Sequence, residues 1–408
     1  MQILVVVITI ALNALDGFDV LSISIAAAPI RAEFGIGDSV TGLLLAMELV
    51  GMAIGSIFLG RLADSWGRRP LMLTCLVLMS AGMYLVTTEP GVLAGGLKSV
   101  SDSLGLLDGW PVEIMHISIW RIVTGLGIGG MLAAVNAVVA EYSNAKNKHM
   151  NVALMSIGYP VGASLGGFIV SPMLPEYGWH IVFLVGFGAT LALIPIVYFF
   201  VPETVAWSVR HQTPGSLAKI NATLRRMGHA TVEALPDVRT EIANANKAGH
   251  NIFTPKYIRT TLIVTTAYFF HIMTFYFILK WTGVILVERD FLAQQAGQVL
   301  SWINVGGATG GALLGFLTLK YDLKRLTVGA MILSAIMVVV YGAYGSNITQ
   351  ITLICVASGF FINAAINGMY AIFAHAYPTQ VRAAGTGFAI GVGRGGSVLA
   401  PIAAGNVR

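Results

Sequence analysis

The chain has 408 residues, of which 56% are hydrophobic and only 11% charged, with 47 glycines and a mean hydropathy of +0.78. These values exclude a large water-soluble core and describe a polytopic helical membrane protein. The net charge of +5 invites an acidic partner such as nucleic acid, so the placement of the basic residues has to decide.

Spans of about 20 apolar residues are expected near residues 3–28, 40–62, 70–88, 114–140, 151–174 and 180–201, and again near 260–287, 295–319, 325–345, 349–376 and 383–405. The sequence therefore predicts eleven membrane helices. The first apolar run lacks a small-residue cleavage site after a short core, so it is read as a retained helix and not as a signal peptide. One long polar stretch, Pro202 to about Ile258, separates two apolar blocks.

With a cytoplasmic N-terminus, 17 of the 24 basic residues fall in inner loops. The outer connection carries Glu89, Asp102, Asp108 and Glu113 against Lys98 alone. This is the positive-inside pattern, so the basic balance is topology, and no nucleic-acid partner is expected. Cys75 and Cys355 both lie in apolar runs, which implies neither a disulfide framework nor a metal cluster.

In the first span, Asp16-Gly17-Phe18-Asp19 puts two carboxylates where ionised groups are expensive. Each acid at mid-bilayer costs about 2.5–3.5 kcal/mol on insertion scales, so such groups pair or line a polar path. Their spacing of three puts both on one helix face. They are either a structural ion-pair site or part of a machine that moves protons or solutes.

Between spans two and three runs Gly60-Arg61-Leu62-Ala63-Asp64-Ser65-Trp66-Gly67-Arg68-Arg69-Pro70. A tight turn with glycine at each end lets two helices approach, and an acid among arginines can pair across the inner face. This loop resembles the signature of the major facilitator superfamily, with Ser65 standing where a basic residue is common. A degraded echo, Gly315 to Arg325, follows span eight and fits two repeated halves.

The tetrad also resembles the D-G-x-D signature of the aromatic acid:proton symporters. Further matches are Trp120-Arg121 with its glycine-rich sequel and Glu141, Tyr377-Pro378-Thr379-Gln380-Val381-Arg382, and Gly391-Val392-Gly393-Arg394. After span six, Pro202-Glu203-Thr204 and Trp207 resemble an element shared with sugar porters. The resemblance implies an all-α membrane protein with the major facilitator fold: two pseudo-symmetric six-helix bundles, here residues 1–201 and 259–408, joined by a cytoplasmic linker at 202–258. Family members have twelve helices, so the twelfth is expected to be missing, leaving one flank of the second bundle facing lipid.

The function implied is secondary active transport: proton-coupled uptake of an aromatic acid or related organic anion by alternating access, in a multi-pass protein of the bacterial inner membrane, as a monomer. Asp16 and Asp19 are then the proton-coupling candidates. Arg394 is the first candidate for the substrate carboxylate, because a guanidinium can hold it through two parallel hydrogen bonds. Arg121 either shares that role or pairs with Glu48. Lys280 either attracts an anion at the outer mouth or snorkels from a helix end, and Tyr276 belongs to a ring-rich stretch that can stack on an aromatic substrate. Gly60, Asp64, Gly67, Arg68, Arg69, Glu141 and Arg382 form the candidate cytoplasmic gate.

His271 and His375 are read as packing histidines before proton relays. Asn136, Asn304, Asn363 and Asn367 are either cavity donors or interhelical bonds. Pro214 to Met227 has the spacing of an amphipathic helix along the inner surface. No nucleotide loop, zinc spacing or nucleophile elbow is present, so neither a cofactor nor an enzyme is expected. The alternatives are a sugar, polyol or drug carrier on the same fold, and a non-transporting membrane sensor that signals through residues 202–258.

Overall fold

A bilayer offers the backbone no hydrogen-bond partners, so a spanning segment must satisfy its own N–H and C=O groups as helix. The computed structural model describes residues 1–104, 110–144, 148–235, 252–255, 257–343, 347–377 and 379–407. The side chains of Asp64 and Arg382, two of the expected gate residues, lie outside the described set. Among the described residues every regular element is helical, and eleven helices are long and apolar enough to cross a membrane.

In chain order these are α1 (Gln2–Phe34), α2 (Asp38–Trp66), α3 (Arg68–Val86), α4 (Val112–Tyr142), α5 (Lys148–Val170) and α6 (His180–Phe200), then α7 (Ile258–Glu288), α8 (Ala293–Leu317), α9 (Leu323–Ala343), α10 (Ile348–Ala376) and α11 (Thr379–Val407). The ends follow local chemistry. Helix α1 stops at Gly35, whose φ of 61° is left-handed, and Asn347 caps α10 by accepting from Gln350 N. The long outer connection holds a helix, Val92–Leu104, and the polar stretch holds Val205–His211 and Ser216–Met227. The last of these is the expected amphipathic helix, with Ile220 and Thr223 buried and Arg225 and Arg226 in its final turn.

Packing repeats between the two blocks. In the first, α1 lies along α5, α2 along α4, and α3 against α4; in the second, α7 lies along α11, α8 along α10, and α9 against α10. The closest approach in the first block is α1 to α5, where a Cβ added at Gly162 would stand 1.9 Å from the Ala14 carbonyl oxygen. Only glycine allows two backbones that close.

The halves meet through α2 with α11, α5 with α8, and α1 with α7. Their polar contacts cluster toward the outer ends. Ser39 Oγ donates to the Gly405 carbonyl (3.3 Å), Ser164 Oγ to the Ser301 carbonyl (3.1 Å), and Arg31 pairs with Glu288. Residues 50–57 of α2 and 387–399 of α11 line a cleft of about 750 Å³.

Candidate functional site

Five ionisable side chains form a buried cluster near the middle of the bundle. Asp16, Asp19, Glu48, Arg121 and Lys280 are each 0% exposed. Glu48 on α2 is the hub: Arg121 Nη2 of α4 lies 2.5 Å from its Oε1, and Lys280 Nζ of α7 lies 3.0 Å from its Oε2. Both cations also hold backbone of α1, Arg121 donating to the Asp19 carbonyl (2.9 Å) and Lys280 to the Val20 carbonyl (2.7 Å). The guanidinium lies over the Phe183 ring of α6, 5.4 Å from its centroid.

The two expected proton carriers are placed differently from the other three. None of the four carboxyl oxygens of Asp16 and Asp19 has a hydrogen-bond partner among the described residues. A Cβ added at Gly186 of α6 would stand 3.3 Å from Asp19 Oδ1, so that carboxyl is held against bare backbone. Two acids with no partner among the described residues, beside a Glu48 that faces a cation at each oxygen, leave the pair as the cluster's reactive part.

The expected pairing of Arg121 with Glu48 is present. Lys280 sits neither at an outer mouth nor at a snorkelling helix end. It is sealed inside α7 on a carboxylate of the opposite half, because Trp281 and Val284 beside it are buried as well and leave its head no route to water.

Arg394 lies partly buried in the cleft between α2 and α11 and supplies the one charge among the lining residues. Its guanidinium has no ion-pair partner among the described residues. The other lining groups, such as Val50, Ile54, Ile390 and Val398, are apolar apart from Ser56. Tyr268 and Tyr276 of α7 are within electrostatic reach of Arg394, and Tyr268 Oη lies 2.9 Å from Tyr370 Oη of α10. Tyr159 of α5 has a buried hydroxyl with no hydrogen-bond partner among the described residues and is within electrostatic reach of Asp16, Glu48, Tyr276 and Tyr370. Tyr159 and Tyr370 were missed by sequence reasoning. A tyrosine in an apolar helix carries no signal of which face it occupies.

At the inner face, Gly67 has φ +108° and ends α2. Its missing side chain makes room for Glu203, whose Oε2 would stand 2.2 Å from an added Cβ. The Glu203 carboxylate accepts from the N–H groups of Arg68 (2.9 Å) and Arg69 (3.2 Å), the first turn of α3. Arg68 in turn reaches Glu141 (3.3 Å) and the Ala63 carbonyl (2.6 Å), and Arg69 reaches the Tyr198 carbonyl. Gly60 only touches Ala133, at ordinary distance for an added Cβ (3.5 Å). The expected gate loop thus binds the first half together and takes in Glu203, the acid of the Pro-Glu-Thr element.

Among the remaining candidates, His271 donates from Nε2 to the Ile362 carbonyl (3.0 Å), a packing role, and His375 is exposed. Asn136, Asn304 and Asn363 each donate to the carbonyl four residues back in their own helix, and these bonds are neither cavity contacts nor interhelical.

Against known proteins, the family model of the Major Facilitator Superfamily matches residues 8–401. The chain belongs to that superfamily. As a major facilitator it is a multi-pass membrane transporter and not an enzyme. It is 26% identical over 403 residues to the 4-hydroxybenzoate transporter PcaK of Acinetobacter baylyi, covering 98% of this chain and 83% of the relative. It is 25% identical over 407 residues to a gallate transporter of Pseudomonas putida, with 100% and 85% covered, and 27% identical over 414 residues to the benzoate transport protein of Acinetobacter baylyi, with 98% and 82% covered. Among solved structures, the inward-open xylose transporter XylE of E. coli superposes with a TM-score of 0.73 at 16% identity, covering 99% of this chain and 90% of that one. At that identity the likeness is one of fold.

Proposed function

We propose that this major facilitator is a proton-coupled importer of an aromatic or related organic carboxylate, working by alternating opening of two bundles, residues 1–201 and 259–408, across the inner membrane. The observation that carries the reading is Arg394: a cation without an ion-pair partner among the described residues, in an otherwise apolar cleft. In a low-dielectric cavity such a guanidinium favours a carboxylate held by two parallel hydrogen bonds. Tyr268, Tyr276 and Tyr370 beside it supply rings and hydroxyls suited to an aromatic body. The relatives named for 4-hydroxybenzoate, gallate and benzoate support the same substrate class.

Proton coupling rests on the buried cluster. Three acids, Asp16, Asp19 and Glu48, face two bases, Arg121 and Lys280, so one proton makes the set neutral. A net charge sealed in a low dielectric is costly, which favours that proton. Each Glu48 oxygen faces a cation, whereas no carboxyl oxygen of Asp16 or Asp19 has a hydrogen-bond or ion-pair partner among the described residues, which favours the Asp16–Asp19 pair as the proton's holder.

The test is uptake of radiolabelled 4-hydroxybenzoate into proteoliposomes. Accumulation should require an inward proton gradient and be lost on Arg394→Gln. Uptake of xylose in place of the aromatic acid, or equal accumulation without a gradient, would overturn this reading.

A further inference from the structure

The ion pair of Lys280 with Glu48 joins the two halves with both side chains 0% exposed. It belongs to none of the sequence motifs. Lys280 comes from α7, in the second half, yet both its acceptors, Glu48 Oε2 and the Val20 carbonyl, are in the first. Around it stand Asp16 and Asp19 on α1, Arg121 on α4, Tyr159 on α5 and Tyr276 on α7 itself, with Cys75 of α3 facing Asp16 and with Tyr370 and Arg394 beyond Tyr276. Helix α6 contributes Phe183 and Gly186.

We propose that Lys280 is a mobile counter-charge that takes the place of the transported proton. The inference rests on the alternating opening proposed above. When the outer side opens, α7 must leave α1 and α2, and the ammonium goes with it. The first half then keeps three acids and Arg121 alone, one positive charge fewer than in the closed arrangement. A second proton, from outside water, fills that deficit by forming an O–H bond on the Asp16–Asp19 pair beside the one that the closed set already holds.

On closing, Lys280 returns to Glu48. Arg121, which until then alone neutralised Glu48, now shares it and turns part of its charge toward Asp19, whose carbonyl it already holds. One of the two O–H bonds breaks, and that proton passes to water on the inner side while the other stays on the pair. Lys280 keeps its own three protons throughout, so one proton crosses per cycle and no other group changes charge. Its role is positioning: it acts on the proton through the acids.

The outward-open state therefore binds one more proton than the closed state. A state that binds more protons gains population as pH falls, by at most about tenfold per pH unit for one proton. Ser24 on α1 reports this directly. It is 0% exposed, and its carbonyl faces α7, 2.7 Å from where a Gly283 Cβ would stand. A Ser24→Cys thiol is reached by an impermeant maleimide from outside only when the seam parts. The native Cys75 and Cys355 are buried, and Ser103→Cys on the exposed outer helix corrects for the reagent's own pH dependence.

In right-side-out membrane vesicles containing the full chain, without substrate, corrected labelling of Ser24→Cys should rise as pH falls, approaching tenfold per unit. Lys280→Met should flatten that dependence and Lys280→Arg restore it. Should Lys280→Met fail to fold, Glu48→Gln with Lys280→Met leaves the cluster's charge sum intact and should also be flat. The parent slope surviving in either methionine variant would overturn the counter-charge role. An absence of Ser24→Cys labelling at every pH would overturn the alternating opening itself, whichever residue 280 is present.

Discussion

Replacing Glu48 by Gln tests whether the cluster holds the fold together as its geometry implies. The change keeps the side chain's size but removes the single carboxylate that Arg121 and Lys280 share at 2.5 and 3.0 Å, all three groups being 0% exposed. Breaking a fully buried pair by removing one partner costs about 3–5 kcal/mol, because the remaining charge stays buried without its counter-ion. Here two cations are stranded, while the amide oxygen still accepts one hydrogen bond, so a loss of about 3–5 kcal/mol is expected. The outer pair Lys98–Asp102, 2.7 Å apart but with side chains 28% and 47% exposed, is the internal comparison. Asp102→Asn should cost no more than about 1 kcal/mol. Unfolding in mixed micelles as a function of denaturing detergent measures both, and adding Lys280→Met to Glu48→Gln should recover part of the loss by removing one stranded cation. A Glu48→Gln protein within about 0.5 kcal/mol of the parent would refute the reasoning, since that is the range of an ordinary surface substitution.

Arg394→Gln should weaken 4-hydroxybenzoate binding by about 10- to 150-fold, the loss of about 1.5–3 kcal/mol of charge-assisted hydrogen bonding; calorimetric titration giving an unchanged Kd would remove Arg394 from the anion site. Gly162→Leu places a side chain where even a Cβ would be 1.9 Å from the Ala14 carbonyl oxygen, so α1 and α5 must separate. A cost of about 1–3 kcal/mol or more is expected from overpacking, read as a lower melting temperature, and an unaltered melting curve would contradict the packing. Glu203→Ala removes the acceptor for the first N–H groups of α3 and should cost about 0.5–2 kcal/mol, as for other helix caps. Gln at the same position should retain part of that, and equal stability for Ala and the parent would show that the cap contributes nothing.

The eleven spans were legible because hydropathy and helix length answer to one constraint, the thickness of the bilayer. The Arg121–Glu48 pair was legible for a related reason: two opposite charges inside apolar helices have few partners other than each other. Lys280 needed the fold. The same logic of scarce partners applied to it, but its position beside Trp281 near the end of a span suggested an interface residue, and only the packing of α7 on α1 brings it within reach of Glu48. Arg394 was legible as a candidate from its place in helix eleven. That it lacks an ion-pair partner among the described residues depends on which residues α2 turns toward it, and periodicity does not report that. The hydroxyl of Tyr159 and the capping carboxylate of Glu203 were hidden likewise, since each acts on a segment distant in sequence. In the long outer connection Gly91, Gly95 and Gly96 suggest flexibility, yet Val92–Leu104 forms a helix that packs on α4.

The most direct test of proton-coupled carboxylate transport is the count of protons carried with 4-hydroxybenzoate, read by a pH dye trapped in proteoliposomes during uptake. The parent should acidify the lumen in step with substrate entry, and Asp16→Asn combined with Asp19→Asn should abolish acidification while leaving exchange of labelled for unlabelled substrate in place. Acidification that persists in the double variant, or substrate entry by the parent with no proton movement, would contradict the assignment of the proton to these two aspartates.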